Sequence, residues 1–117
     1  MTHRIFVPLA LAIFAASTTA YAAGDADAGK TKAAACAACH GPDGNAGIDP
    51  QYPRLAGQYR DYIAKALHEY KSGDRKNPIM AGFAGTLSDA DIEDLAEYFS
   101  SLPQRKLTDL HGKVGGD

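Results

Sequence analysis

The sequence predicts a small, all-α domain, and two patterns support this. Apolar residues recur at intervals of three and four positions in its middle and closing stretches, and no stretch alternates convincingly enough to predict a strand. Segments rich in glycine, proline, aspartate and asparagine, at about 41–57 and 73–87, separate the helical stretches. We therefore expect three main helices joined by two long loops.

The first predicted helix begins near Asp25 or Asp27 and runs to Cys39. Acidic residues at its start suit the positive end of the helix dipole. Gly41-Pro42 follows and ends the helix, because proline cannot continue it. This helix therefore ends close to the most informative motif of the chain.

The second and third predicted helices follow the two loops. The second spans about 58–71 and places one apolar stripe on its surface: Tyr59, Tyr62, Ile63, Ala66, Leu67 and Tyr70. The third has Ser88 as its N-cap, acidic residues in its first turn and Pro103 after its end. Its buried side is predicted to carry Ile92, Leu95, Ala96, Phe99 and Leu102.

Both cysteines of the chain lie in one motif, Cys36-Ala37-Ala38-Cys39-His40. Cys-x-x-Cys-His is the attachment pattern of c-type haem. Thiols three positions apart lie near each other on one helical turn, from which they can add to two vinyl groups of one porphyrin. The histidine after them can place an imidazole nitrogen under the iron. The motif predicts one haem c, attached through Cys36 and Cys39, with His40 as the proximal ligand.

Two other interpretations of the cysteines are weaker. A thioredoxin-like redox pair expects a strand before the motif, whereas Ala33-Ala34-Ala35 precedes it and favours a helix. A structural zinc site needs about four ligands, usually including a second pair of cysteines or histidines. The remaining histidines, His3, His68 and His111, are scattered and form no such pair.

Residues 1–22 have the pattern of a secretory signal peptide. A short basic start is followed by the apolar run Ile5 to Ala16 and by Ala20-Tyr21-Ala22, a small-x-small cleavage pattern. The run is shorter than the roughly 20 residues that span a bilayer. We predict cleavage after Ala22 and a single periplasmic domain at 23–117, with a loosely held tail from about 104. No stable membrane insertion is then expected; the alternative is an uncleaved anchor.

Size and charge agree with a bound porphyrin and exclude nucleic acid as a partner. A domain this small often needs a metal or a cross-link for stability, and a buried haem would supply apolar mass. The formal net charge is −2, and removal of the signal peptide takes away Arg4 and no acid, leaving −3. No basic face is present to bind nucleic acid, whereas mild acidity suits partners with basic docking patches.

Met80 is the candidate for the second axial position on the iron. It is the only methionine left once Met1 is removed with the signal peptide, and it lies in the predicted loop between the second and third helices. A neutral thioether favours ferrous iron and raises the reduction potential. The alternatives are that Met80 only fills an apolar gap, or that His68, beside Glu69, or His111, in the tail, is the ligand.

Four segments in this order resemble the class I c-type cytochromes. They are the haem motif, Tyr52 to Gln58, Gly73 to Met80 and Leu87 to Phe99. The chain is most similar to one half of the dihaem bacterial "c-four" cytochromes and to their single-haem relatives. It departs from the dihaem proteins in having one haem motif, so the resemblance implies a monohaem protein with the small cytochrome c fold.

The resemblance also assigns structural roles. Gly29 in the first helix, with Leu95 and Tyr98 in the last, would form the crossing of the terminal helices, because glycine lets two backbones approach closely. The carbonyl of Pro53 would accept a hydrogen bond from the ring nitrogen of His40 that does not face the iron, which fixes the ring.

Further pocket residues follow from the same resemblance. Leu55 would pack on the haem face, Arg54 or Arg75 would pair with a haem propionate, and Asn77 would support the segment that carries Met80. The alternative is that the arginines are ordinary surface residues and the asparagine an ordinary turn residue.

The sequence therefore predicts an exported carrier of single electrons between redox-protein donors and acceptors. With His40 and Met80 both on the iron, no coordination position is open to a substrate, so we do not expect an enzyme. Two alternatives remain: a haem-bearing subunit of a larger oxidoreductase, and a ligand-binding or peroxidase-like haem module with an open iron site.

Overall fold

The computed structural model describes residues 23–103; the predicted signal peptide and the predicted tail lie outside the described residues. Within that range the chain forms helices and no strand, so the all-α prediction is confirmed. The five helices in this part of the chain are α1 (Ala26–Lys32), α2 (Ala34–His40), α3 (Arg60–Ser72), α4 (Pro78–Ala84) and α5 (Asp89–Ser101).

The predicted first helix is two helices, and the prediction of one continuous helix was wrong. Asp25 is the N-cap of α1, and its side chain accepts hydrogen bonds from the backbone N–H groups of Asp27 and Ala28. Ala33 then separates α1 from α2. The N–H of Cys36 donates to the Ala33 carbonyl at 2.9 Å. This bond spans three residues and not the four of an α-helix, so the helical turn at Ala33 is narrower than the turns on either side. No glycine or proline marks this break, so the sequence pattern did not indicate it.

The predicted loop at 73–87 contains a short helix, α4, so Met80 lies on a helix and not in a loop. Asn77 is the N-cap, and its side chain accepts hydrogen bonds from the N–H groups of Ile79 and Met80. Pro78 occupies the first helical position, where its missing N–H has no cost. The Asn-Pro pair is a helix start that the sequence carries, but the segment is too short to show an apolar period.

Helices α1 and α5 cross with their backbones in close contact at Gly29. A Cβ atom on this residue would lie 2.1 Å from the carbonyl oxygen of Asp94 and 2.8 Å from the Cβ of Tyr98. The backbone at Gly24 is also close to α5, because a Cβ atom on this residue would lie 2.1 Å from the carbonyl oxygen of Glu93. Only glycine fits such an approach. The terminal helices therefore cross where the sequence resemblance implied.

Helix α5 forms the centre of the core. Its side chains Ile92, Leu95, Ala96 and Phe99 are buried and pack with Ala33, Ile63 and Ala64. The predicted start of α5 is confirmed, because Ser88 is its N-cap and forms a reciprocal capping box with Asp91. The apolar stripe read from the sequence is therefore the face of α5 that packs against α1 and α3.

Ion pairs join α5 to both of its neighbours. Lys32 of α1 lies 3.2 Å from Asp91 and 2.7 Å from Asp94. Arg60 of α3 lies 2.5 Å from Glu93 and 3.1 Å from Glu97. Such partly exposed pairs contribute modestly one by one, and more as a network. They stabilise the packing of α1 and α3 against α5, which the apolar core also stabilises.

Candidate haem site

Helix α2 carries all three residues of the attachment motif. Cys36 and Cys39 are half-buried free thiols three positions apart, and His40 is buried. Burial raises the pKa of the Cys36 thiol, and the neighbouring Cys39 raises that pKa further. A raised pKa is typical of a thiol in apolar surroundings and unlike the lowered pKa of a reactive redox cysteine. A thioredoxin-like pair expects a strand before the motif, and helix α1 precedes it here, so that interpretation is disfavoured.

The orientation of the His40 ring is set by one hydrogen bond. Its Nδ1 lies 2.8 Å from the carbonyl oxygen of Pro53, the contact that the sequence resemblance implied. A carbonyl oxygen can only accept, so Nδ1 carries the proton and donates. The lone pair of the neutral ring is then on Nε2. This is the tautomer that a haem-ligating histidine needs, with the second nitrogen held by a backbone acceptor.

Tyr52 is a further neighbour of His40 that sequence reasoning missed. The two rings meet edge to face, with centroids 6.1 Å apart and planes at 75°. Gly47 makes this contact possible, because a Cβ atom there would lie 2.7 Å from the Cβ of Tyr52. Tyr52 was noted in the sequence only as part of a family motif; its place directly before Pro53 was the available sign.

The loop after α2 folds back tightly around the motif. Gly41 has φ 85°, and a Cβ atom on it would lie 2.1 Å from the carbonyl oxygen of Ala46, so no other residue fits. The N–H of Ile48 donates to the Cys39 carbonyl at 3.1 Å. Further along, the N–H of Gly57 donates to the Phe99 carbonyl at 2.8 Å and ties the loop to α5. The segment bearing Pro53 is therefore held at both ends.

The other predicted pocket residues have contacts of their own. Leu55 is partly buried and packs against the core. Arg54 donates from Nε to the backbone carbonyl of Asn45 at 3.2 Å. Arg75 donates to the hydroxyl oxygen of Tyr62. The propionate contacts of the two arginines stay predictions.

Met80 is half-buried on α4, and the cap of that helix holds its backbone. The side-chain oxygen of Asn77 accepts from the N–H groups of both Ile79 and Met80, each at 3.1 Å. Among the described helices, α4 packs against α3 and α2 packs against α1, with no contact between α2 and α4. Met80 and His40 are thus carried by separate helices that do not contact each other.

The alternative ligand His68 lies on α3 and not on the helix of the motif. Its Nδ1 is 3.9 Å from a carboxylate oxygen of Asp89, and its side chain is 43% exposed. Lys71 contacts the same carboxylate oxygen at 3.0 Å. This is a surface charge cluster, as the sequence position of His68 beside Glu69 suggested. His111 lies outside the described residues.

The donor set fits a haem and not a bare metal ion. Among residues 23–103 no group of three or more histidine, cysteine, aspartate or glutamate side chains is placed to hold a metal ion. What α2 and α4 offer instead is two thiols, one neutral imidazole nitrogen and one thioether. These are the groups that attach a c-type porphyrin and ligate its iron from two sides.

Comparison with known proteins identifies the family. The cytochrome c family model matches residues 26–103. This chain belongs to the cytochrome c family. Membership and the motif together give it one covalently bound haem c, for which Cys36 and Cys39 are the two cysteines. The cofactor predicted from the sequence is confirmed.

Similar proteins include cytochrome c4 of Pseudomonas aeruginosa, 51% identical over 82 residues, which are 70% of this chain and 40% of that protein. Cytochrome c-554(548) of Halomonas halodenitrificans is 46% identical over 82 residues, or 68% of this chain and 98% of that protein. The crystal structure of reduced recombinant cytochrome c4 from Pseudomonas stutzeri superposes with a TM-score of 0.66 at 46% identity, covering 71% of this chain and 48% of that one.

These matches confirm the resemblance and the small cytochrome c fold. The chain spans about half the length of the cytochrome c4 relatives it matches, and nearly the full length of cytochrome c-554(548). A relative in Thiomonas intermedia, named a thiosulfate dehydrogenase electron acceptor, is 44% identical over 71 residues, covering 61% of this chain and 33% of that protein. None of the helices at 23–103 is long and apolar enough to cross a membrane.

Proposed function

We propose that this chain is a periplasmic monohaem cytochrome that accepts one electron from a redox protein and passes it to another. The observation that carries the proposal is the 2.8 Å contact between His40 Nδ1 and the Pro53 carbonyl, directly after the attachment motif. It leaves Nε2 as the nitrogen that can bind iron. The haem, when bound, supplies the one-electron couple between ferric and ferrous iron.

The protein residues attach the haem and occupy its iron. Cys36 and Cys39 would hold the porphyrin through sulfur, and His40 and Met80 would bind its iron. An iron held by both of these side chains would leave no position for a substrate, so we propose a carrier and not an enzyme. The thioether of Met80 favours the ferrous state and so raises the reduction potential.

The test of this proposal is Met80→Ala in the haem-loaded chain. We expect loss of the weak methionine-to-iron band at the red end of the ferric spectrum. We also expect a fall in reduction potential on the order of 0.1 V, within the range of about 0.8 V that axial ligands span. The control is His68→Ala, which removes the rival ligand and should change neither property.

Three results would contradict the ligand assignment. An unchanged spectrum and potential in Met80→Ala would show that Met80 does not bind iron. Absence of the band from the unaltered protein, with a reduction potential that changes in His68→Ala and not in Met80→Ala, would transfer the ligand role to that histidine. A high-spin ferric spectrum in the unaltered protein would favour the alternative of an open, ligand-binding site.

The periplasmic location rests on the predicted signal peptide and on the cofactor, because c-type haem is attached outside the bacterial cytoplasm. Expressed with residues 1–22 in a host competent in cytochrome maturation, the chain should give coloured protein in the periplasmic fraction. Expressed without them, it should give no covalent haem. Coloured protein from the shortened chain would contradict the export proposal.

A second candidate function is a haem-bearing electron-transfer subunit of a larger oxidoreductase. A relative named as an electron acceptor of thiosulfate dehydrogenase favours it. Affinity purification of the haem-loaded chain from its own cells separates the two functions. A subunit should co-purify with a second chain in fixed ratio, whereas a diffusing carrier should elute alone.

A further inference from the structure

A cation and two tyrosines form a cluster on the face of α3 that leads to α4. Arg75 lies in the connection between these helices, and both of its terminal guanidinium nitrogens are 3.3 Å from the hydroxyl oxygen of Tyr62. The guanidinium carbon lies 5.1 Å from the ring centroid of Tyr70 and 5.8 Å from that of Tyr62. Tyr62 and Tyr70 are eight positions apart, a little over two helical turns, and so share one side of α3.

The backbone of Arg75 is fixed to α3 as well. Its N–H donates to the carbonyl of Glu69 at 3.1 Å, and the N–H of Gly73 donates to the same carbonyl at 3.0 Å. Gly73 has φ 86°, so the chain reverses sharply at this point. The reversal brings the arginine back over the tyrosines, where a flat guanidinium can stack and donate at once.

The connection from Arg75 to Met80 is short and held at both ends. Asn77, two residues after Arg75, caps α4 and accepts a hydrogen bond from the N–H of Met80 at 3.1 Å. Among the described helices, α4 contacts α3 alone. The position of Met80 therefore depends on how firmly the start of α4 is attached to α3.

We infer that the Tyr62–Arg75–Tyr70 cluster positions α4 so that Met80 stays on the haem iron. Arg75 is a positioning residue: it contacts the two tyrosines and acts on the iron through the helix that carries the ligand. The inference rests on the proposed ligation by His40 and Met80. This role is separate from the propionate contact that the sequence resemblance implied for Arg75, which stays a prediction.

The test uses cyanide as an external ligand for the ferric, haem-loaded full chain. Cyanide binds only while Met80 is off the iron, so its apparent affinity rises with the fraction of molecules in that state. Arg75→Ala should raise the affinity about tenfold and weaken the methionine-to-iron band. Tyr62→Phe, which removes one hydroxyl and keeps the ring, should raise the apparent cyanide affinity about threefold.

Two further variants separate this role from a simple charge effect. Lys76→Ala removes the neighbouring cation, whose Nζ contacts the Gly73 carbonyl and not the tyrosines, and should leave the affinity within about twofold. Arg75→Lys keeps the charge but loses the stacked, forked contact, so it should behave like Arg75→Ala. Free energies of unfolding, measured in parallel, separate loosening of α4 from loss of the whole fold.

The outcomes are distinct. If the unaltered protein lacks the methionine-to-iron band, the proposed ligation itself fails. If the band is present and Arg75→Ala binds cyanide like Lys76→Ala, the positioning role is wrong. If Arg75→Lys restores normal affinity while Tyr62→Phe has no effect, the arginine acts by charge on the haem and the inference is overturned. If Arg75→Ala does not fold, Tyr62→Phe alone decides the question.

Discussion

Two regions of this molecule are held by different forces. The crossing region, formed by α1, α3 and α5, joins helices through buried apolar side chains, close backbones at Gly29 and ion pairs on both sides of α5. The haem-side region, formed by α2, residues 41–59 and α4, is held by caps and turn hydrogen bonds. It also carries large apolar side chains with much of their surface exposed: Ile48, Tyr59, Ile79 and Phe83.

The two regions contribute to different properties, the crossing region to the stability of the fold and the haem-side region to the binding of haem. The crossing region packs its own side chains together, so its stability depends on shape and burial. The haem-side region positions the four proposed haem-binding side chains through local hydrogen bonds and through contacts of α2 with α1 and of α4 with α3. Changes in the crossing region should therefore alter the free energy of unfolding, and changes in the haem-side region should alter the haem and its ligands.

The largest effect is expected from Cys36→Ala combined with Cys39→Ala. Because no other cysteine exists in the chain, haem that survives acid extraction should disappear completely. The control is Ala38→Ser, a change at an exposed position between the two cysteines that should keep the haem attached. Haem retained after acid extraction of the double variant would contradict the assignment of both attachment sites.

The next effect is expected from Gly29→Ala in the crossing region. The added Cβ would lie 2.1 Å from a backbone oxygen that cannot rotate away, so the helices must separate. Overpacking of this kind should lower the free energy of unfolding by about 2–3 kcal/mol, measured by denaturant titration of the haem-loaded protein. Helix propensity alone predicts the opposite sign, since alanine is the better helix former.

The matched control is the reverse substitution, alanine to glycine, at the neighbouring position. Ala28→Gly should cost about 1 kcal/mol, from propensity alone. If Gly29→Ala were neutral or stabilising, the close approach of α1 and α5 would be wrong, and with it the distinction between the two regions.

Removing a helix N-cap should change a different property in each region: stability in the crossing region and ligation of the iron in the haem-side region. Ser88→Ala removes the cap of α5 and should lower the free energy of unfolding by about 1 kcal/mol, with the methionine-to-iron band intact. Asn77→Ala removes the cap that holds Met80 and should weaken that band. Equal spectra in the two variants, measured at matched haem content, would show that the cap of α4 does not position Met80.

The smallest effect is a dependence of stability on acid pH from the charges around α5. Hydrogen bonds from Ser88, with Lys32 nearby, lower the pKa of Asp91 from its ordinary value near 4 to about 2. The Lys32 ammonium and the N–H of Asp25 lower the pKa of Asp94 in the same way. A pKa lowered in the folded state stabilises the fold above pH 4, and that contribution is lost as the pH falls from about 4 to about 2.

Asp91→Asn should therefore flatten the fall in free energy of unfolding between pH 4 and pH 2. Asp61→Asn is the control, because its side chain is 95% exposed, and it should leave the slope unchanged. An unaltered slope in Asp91→Asn would show that this carboxylate is not held by its partners in the folded protein.

Sequence reasoning identified the haem attachment motif and missed specific side-chain contacts around it. The attachment motif was recognisable because haem attachment demands particular residue types at short spacing, and Met80 was proposed as a ligand because it is the one methionine after the predicted cleavage site. The contact of His40 with Pro53 followed from family resemblance and is present in the structure. The contacts of Tyr52 with His40 and of Arg75 with two tyrosines were missed, because loop paths bring them together and no periodicity records a loop path.

Sequence reasoning also predicted the long helices better than the short ones. The extents of α3 and α5 followed closely from apolar periods and the Ser88 cap. The break at Ala33 and the existence of α4 did not, since α1, α2 and α4 have seven residues each, two turns of helix. An apolar period needs a longer stretch to be recognised.

The sequence by itself determined the all-α class and the covalently bound haem, since those depend on apolar periods and on side-chain chemistry at a spacing within one or two helical turns. The tertiary structure decided which nitrogen of His40 is free for iron, how closely α1 and α5 approach, and what holds the helix that carries Met80. Each of these depends on atoms brought together from distant parts of the chain, and their distances follow from packing and not from local pattern.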